Sequence, residues 1–263
     1  MIRRPPRSTL DRSSAASDVY KRQALNGNTF SQTSYVYQDD DKMSIQGTVN
    51  KTTLLLFITM LAAAFTWYVT RIDSSATQVI MVLGGILGFI MGLITCIKPA
   101  WSPTTAPIYC LFEGLFLGGF SAFIDAAYPG IPLLAVSLTF GILLSLLMAY
   151  KSGWIKATEN FKLGVTAATG GICLVYLFSF ILSLFSTEIP FIHGSGLIGI
   201  IFSLFVVGIA SLNLVLDFDF IEQGAEGGAP KHMEWYAAFG LMVTLIWLYI
   251  EIVRLLIKLR SRD

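Results

Sequence analysis

The sequence predicts an all-α fold: a polytopic membrane protein whose seven transmembrane helices form a compact bundle. Three observations carry that prediction. Seven apolar stretches each reach about 20 residues, enough to cross about 30 Å of hydrocarbon at about 1.5 Å per residue. The 263 residues are 54% hydrophobic and 13% charged, whereas soluble domains carry about 25% charged residues. The apolar runs are continuous rather than alternating, which excludes a β-barrel.

Taken in order, the spans are Thr52–Thr70, Val79–Ile97, Ala106–Ala127, Ile131–Tyr150, Leu163–Phe185, Gly196–Leu216 and Trp235–Ile257. Short connections with turn chemistry separate most of them: Asp73-Ser74-Ser75, Pro99 to Pro103, Pro129-Gly130, and Gly224 to Pro230. Such tight joins predict antiparallel neighbours. Trp67, Tyr68, Trp101, Tyr150, Trp154, Trp235 and Tyr236 sit near span ends, where amphipathic rings favour the headgroup level. Gly84, Gly88 and Gly92 recur every fourth residue, as do Gly114 and Gly118. These stripes predict close helix packing inside the bundle.

The ends differ from the spans. Residues 1–23 (MIRRPPRSTLDRSSAASDVYKRQ) are basic and lack the apolar core of a signal peptide. They resemble translated sequencing-adapter DNA and read as an artefact rather than native chain. Without them Lys+Arg falls from 18 to 12 and Asp+Glu from 17 to 15, turning a net charge of +1 into −3. Residues 24–50 read as a flexible polar tail with an acidic run, Asp39–Asp41. Residues 51–258 form the membrane domain, and 259–263 a basic C-terminal tail. The near-neutral balance points to no nucleic-acid partner. Cys96, Cys110 and Cys173 lack metal or redox spacing and read as small buried hydrophobes. His193 and His232 fall in predicted loops.

Topology follows from lysines. Lys42, Lys51, Lys98, Lys151, Lys156, Lys162 and Lys231 share one side, against Arg71 with Asp125 and Glu188 on the other. The positive-inside rule then places the N-terminus in the cytoplasm. Arg254, Lys258, Arg260 and Arg262 argue the other way. Either that basic end is tolerated outside, or the last segment does not fully cross.

Acids within the spans are the candidate chemistry, because a carboxylate in hydrocarbon is expensive and rarely idle. Glu113 lies among apolar neighbours in YCLFEGLFLGGF; cation binding and a neutral, hydrogen-bonded carboxyl fit equally. Asp217 and Asp219 close the sixth span, about 200° apart on a helix, so they face different ways. Glu251 has Arg254 three residues on, in pairing reach. Thr244, two turns before Glu251, and Asn213, one turn before Asp217, offer supporting polar groups. Lys98 and Arg254 are the candidate basic latch. A carboxyl sealed from water keeps its proton until pH rises or a cation arrives. Asp217, with one or more of Asp219, Glu251 and Glu113, is therefore expected to form a site where protons compete with Ca²⁺, a hard ion that takes several oxygens. No Gly-rich motif or His-Glu-x-x-His helix accompanies these acids, so no enzyme and no cofactor are expected.

Three stretches, WSPTTAPIYCLFEGLFLG (Trp101–Gly118), AYKSGWIKATENFKLG (Ala149–Gly164) and LDFDFI (Leu216–Ile221), carry a resemblance that extends over about Thr48 to Arg260, to the Bax inhibitor family (TMBIM, YccA-like). WSPTTAPIYCLFEGLFLG at Trp101–Gly118 is similar to the family's Ser-Pro-Thr-Thr-Ala entry into its third helix. AYKSGWIKATENFKLG at Ala149–Gly164 resembles its basic loop between helices four and five. LDFDFI at Leu216–Ile221 resembles the Asp-Thr-Gln-Arg-Ile signature, with Asp217 as the signature's aspartate and Asp219 in place of Gln. The resemblance implies a seven-helix fold around a central hydrophobic helix, in the bacterial inner membrane. It implies a pH-sensitive Ca²⁺ leak using an aspartate pair, whose second member aligns with Thr244 or, more loosely, Glu251. The loop between the last two spans reads as long for the family. The alternative function is a regulatory protein that restrains a membrane-bound protease, with residues 24–50 as the contacting segment.

Overall fold

The computed structural model describes residues 42–185, 194 and 196–262. The stretch 1–23, the run Asp39–Asp41, Glu188 and His193 lie outside them. Among the described residues there are seven long helices: α1 (Ile45–Thr70), α2 (Ser74–Ile97), α3 (Ser102–Ala127), α4 (Ile131–Lys151), α5 (Glu159–Leu184), α6 (Leu197–Glu226) and α7 (Met233–Arg260). All seven are long and apolar enough to cross a membrane.

Local chemistry starts each helix. Asp73 precedes α2 and accepts from the Ser75 and Ala76 amides at 2.9 and 3.1 Å. Together with the Ser75 hydroxyl, the largest influence, these donors hold the Asp73 carboxyl below its ordinary range. Pro99–Trp101 makes one 3₁₀ turn before α3. Gly130, at φ +85°, takes the left-handed turn into α4 that a side chain resists. Thr158 accepts from the Phe161 amide at the start of α5.

Two boundaries differ from the sequence expectation. Helix α1 begins at Ile45, inside the stretch expected to be a flexible tail. Ser44 caps it, accepting from the Gly47 amide at 3.0 Å, and the Met43 amide donates to Ala229 O at 2.7 Å. Helix α6 continues to Glu226, ten residues past Leu216. Asp217 and Asp219 therefore lie within a helix rather than closing it. The helix ends at Gly227 and Gly228, the latter at φ +65°. The connection to α7 is correspondingly short, not long.

Helix α7 is the centre. Within its most apolar window 56% of residues are buried, against 17% for α2 and for α5. It packs on α6, α1, α4 and α3. Leu248, Val253, Ala238 and Met242 of α7 meet Leu55, Cys110 and Leu214 in the core. Helix α5 packs chiefly on α6, and α2 chiefly on α3. Their outward faces carry Phe180, Leu174, Leu83 and Phe89, as a lipid-facing wall requires. Cys96 and Cys173 are exposed on these walls and only Cys110 is buried; outward apolar side chains have lipid for a partner and need no core.

The glycine stripes are internal. A methyl group on Gly114 would stand 2.5 Å from Thr59 O, and one on Gly118 2.3 Å from Ala63 O. Both contacts bring the α1 backbone against α3. Gly84 holds α2 against the Phe112 carbonyl of α3 in the same way.

Candidate functional site

Asp217 points from α6 toward α7. A methyl group on Gly240 would sit in ordinary contact with Asp217 Oδ1, at 3.8 Å. One turn further along α7, the Thr244 hydroxyl neighbours the same carboxyl, while itself donating to Gly240 O at 3.2 Å. Asp217 Oδ2 is sealed from solvent and has no hydrogen-bond partner among the described residues. No ion pair with Asp217 occurs there either. A sealed carboxyl oxygen without a donor is uncommon in folded proteins. It can hold a proton or accept a cation; Glu234 Oε2 is the other sealed, donorless side-chain oxygen among the described residues.

The remaining candidates lie elsewhere. Asp219, facing away as the helical angle demands, pairs with Lys162 at 2.8 Å and accepts from Gln223 at 2.6 Å. Asn213 donates to Thr169 of α5 at 2.8 Å and to Ile209 O at 2.9 Å, so it joins α5 to α6. Glu251 is 1% exposed. The Tyr176 hydroxyl of α5 lies 3.0 Å from each of its oxygens, and Arg254 Nη1 lies 3.0 Å from Oε1. Seven residues separate Glu251 from Thr244, about 10 Å along α7, which keeps its carboxylate apart from Asp217. Glu113 lies on α3 against Gly88, where an added methyl would come within 3.0 Å of Oε1. No hydrogen bond or ion pair joins it to the other acids among the described residues.

The expected common site of several acids is thus not assembled. Asp217, Asp219, Glu251 and Glu113 occupy four separate surroundings, and no group of three metal-ligating side chains gathers among the described residues. Helix geometry explains this: the acids lie on different helices, or on opposite faces of one. The latch expected of Lys98 has no acidic partner among the described residues either. Its ammonium sits 4.1 Å above the Trp101 ring, at the exposed end of α2. Arg254 pairs with Glu251 and lies over the Tyr176 ring.

Glu234 escaped the sequence reading. Completely buried at the start of α7, it accepts from the Ser44 amide at 3.0 Å, the Ser44 hydroxyl at 2.9 Å and Lys231 at 3.1 Å. In a capping box the third residue of a helix supplies a Glu that reaches back to the cap amide. Here that third residue is Gly47, and the carboxylate comes from another helix, 190 residues away. Glycine is required: a Cβ at Gly47 would lie 1.9 Å from Glu234 Oε1. The available signal was an acid opening the last span, opposite a Ser-x-x-Gly start that lacks its own Glu.

Six apolar helices around a central seventh, with acids inside the bundle, define a multi-pass membrane protein. A family model described as Bax inhibitor 1 like matches residues 11–261. The chain therefore belongs to the Bax inhibitor 1 like family. No curated protein and no solved structure matches it.

Proposed function

We propose that this protein is a pH-responsive cation leak, with Ca²⁺ as the permeant ion and Asp217 as the gating carboxyl. The observation that carries the reading is the sealed, donorless Oδ2 of Asp217 beside Thr244. Proton and cation are alternative occupants of such an oxygen. Thr244 adds a neutral oxygen; the other ligands a Ca²⁺ ion needs come from water and backbone carbonyls during passage. Asp219, Glu251 and Asn213 are committed to other partners and serve the fold.

The proposal extends to topology, with the N-terminus in the cytoplasm of a bacterial cell and the bundle in its inner membrane. Two cations that argue against this orientation have local duties. Arg254 pairs with Glu251, and Lys258 donates to Gly199 O at 3.1 Å and to Ser203 at 2.8 Å. Cations bound within the protein weigh less in a rule that counts loop charge.

The test is Ca²⁺ flux from dye-loaded liposomes carrying the full chain, measured across a pH series. Wild type is expected to pass Ca²⁺ with flux rising as pH rises through one titration. Asp217→Asn removes that dependence, and Thr244→Val shifts its midpoint. Flux with the same pH profile in Asp217→Asn sinks the reading.

A further inference from the structure

Beside this site, α1, α3, α4 and α7 enclose a groove of about 830 Å³, within the range of about 300–1,000 Å³ typical of ligand pockets. Helices α1 and α4 form its two lips without packing closely on each other, so it opens sideways, toward lipid. Five hydroxyls line it; Tyr68 stands at the mouth, and the four within are spent inside the protein. Thr59 donates to Leu55 O at 3.0 Å and Thr139 to Ala135 O at 2.8 Å. Ser121 and Tyr249 bond each other at 2.6 Å. Away from the mouth the wall therefore offers mainly hydrocarbon contact. A polar solute would lose its hydration there without return; an acyl chain would not.

The groove ends where α1 stops and α4 starts. Arg71 stands at that mouth, exposed, with no ion pair among the described residues. Trp67 and Tyr68 flank it, ring types that settle at the headgroup level. The positive end of the α4 dipole, at Gly130 and Pro132, borders the same mouth. The mouth's acid, Asp125, is engaged by the Gly130 amide at 2.9 Å. One end carries charge, the Arg71 guanidinium and the amide-bonded Asp125 carboxylate, and the rest is apolar.

We propose that this groove seats one anionic phospholipid, with an acyl chain along α1 and α4 and the headgroup phosphate on Arg71. The site does not depend on Asp217. The phospholipid fills the gap between α1 and α4 and completes the wall of the bundle at that level.

Native mass spectrometry of the full chain tests it, after extraction from nanodiscs of phosphatidylcholine containing a minor share of phosphatidylglycerol. Wild type is expected to retain one phosphatidylglycerol in preference to phosphatidylcholine. Arg71→Gln, at an exposed position, lowers that retention about tenfold. Val136→Trp, which fills the groove from its lipid-facing side, removes retained lipid of either kind. Lys151→Gln, at the opposite end of α4, changes nothing. Retention unaltered by Arg71→Gln overturns the proposal, as does an equal loss in Lys151→Gln, which would mark general attraction to basic surface.

Discussion

Glu251 and Asp217 are both acids enclosed by the bundle, yet they are treated in opposite ways. Every oxygen of Glu251 has a donor, from Tyr176 on α5 or from Arg254 one turn along α7. Asp217 has one oxygen sealed with no donor. The first arrangement is a fastener: it ties the outlying α5 to the central helix, which α5 otherwise reaches mainly through α6. The second holds a carboxyl short of partners, which costs stability and is kept where an exchangeable proton or ion is useful. Burial alone does not distinguish the two acids; the partners of their oxygens do.

The contrast breaks most visibly at Glu251. Glu251→Ala strands Arg254 and the Tyr176 hydroxyl. It should destabilise the protein by about 2–3 kcal/mol, below the full loss for a broken buried pair because Arg254 is half exposed. Thermal unfolding in detergent reads this, and a shift no larger than a surface mutation's would show that Glu251 is no fastener. Gly47→Ala comes next. Its methyl group displaces the Glu234 carboxylate from Ser44 and should cost about 2 kcal/mol through the lost cap and overpacking. The loss should appear as faster amide exchange in the first turn of α1. Tyr176→Phe removes one donor and keeps the ring, so about 1 kcal/mol is expected in the same melt. Asp217→Asn sharpens the comparison from the other side. It should change stability by less than about 1 kcal/mol, because no ion pair is lost, while altering the pH profile of flux.

The smallest effect belongs to Asp73, outside the spans. Its carboxyl is held below the ordinary value by the Ser75 hydroxyl and the Ala76 and Ser75 amides. A lowered folded value contributes stability above the unfolded titration and loses it as pH falls through the folded one. Helix α2 should therefore begin to fray at its first turn only in acid, below the ordinary Asp range. Asp73→Asn should remove that acid dependence while keeping the cap, as carbon-detected titration of the carboxyl and local amide exchange would show.

Much of the fold was legible in the sequence. Seven helices, their order and their antiparallel neighbours follow from hydropathy summed over about 20 residues, a local property. The packing role of Gly114 and Gly118 was visible in their spacing. The divergence of Asp217 from Asp219 follows from 100° per residue. Helix ends were harder to read. Residues 45–50 (IQGTVN) are too mixed to extend the apolar run, and α1 starts there because Glu234 and Ala229 receive it.

The sequence by itself determined that this chain crosses a membrane seven times and carries acids where water is scarce. It also determined its kinship with the Bax inhibitor 1 like proteins. Only the tertiary structure decided which acid oxygens are sealed without a donor: Oδ2 of Asp217 and Oε2 of Glu234, whose Oε1 is bonded. It gave Glu251 to Tyr176, Asp219 to Lys162 and Glu234 to Ser44, left Lys98 over Trp101, and set Asp217 against Gly240 and Thr244. The physical reason is reach. Hydropathy and helical angle are fixed by neighbours along the chain. A carboxylate's partners are fixed by which helices touch, across separations of up to 190 residues.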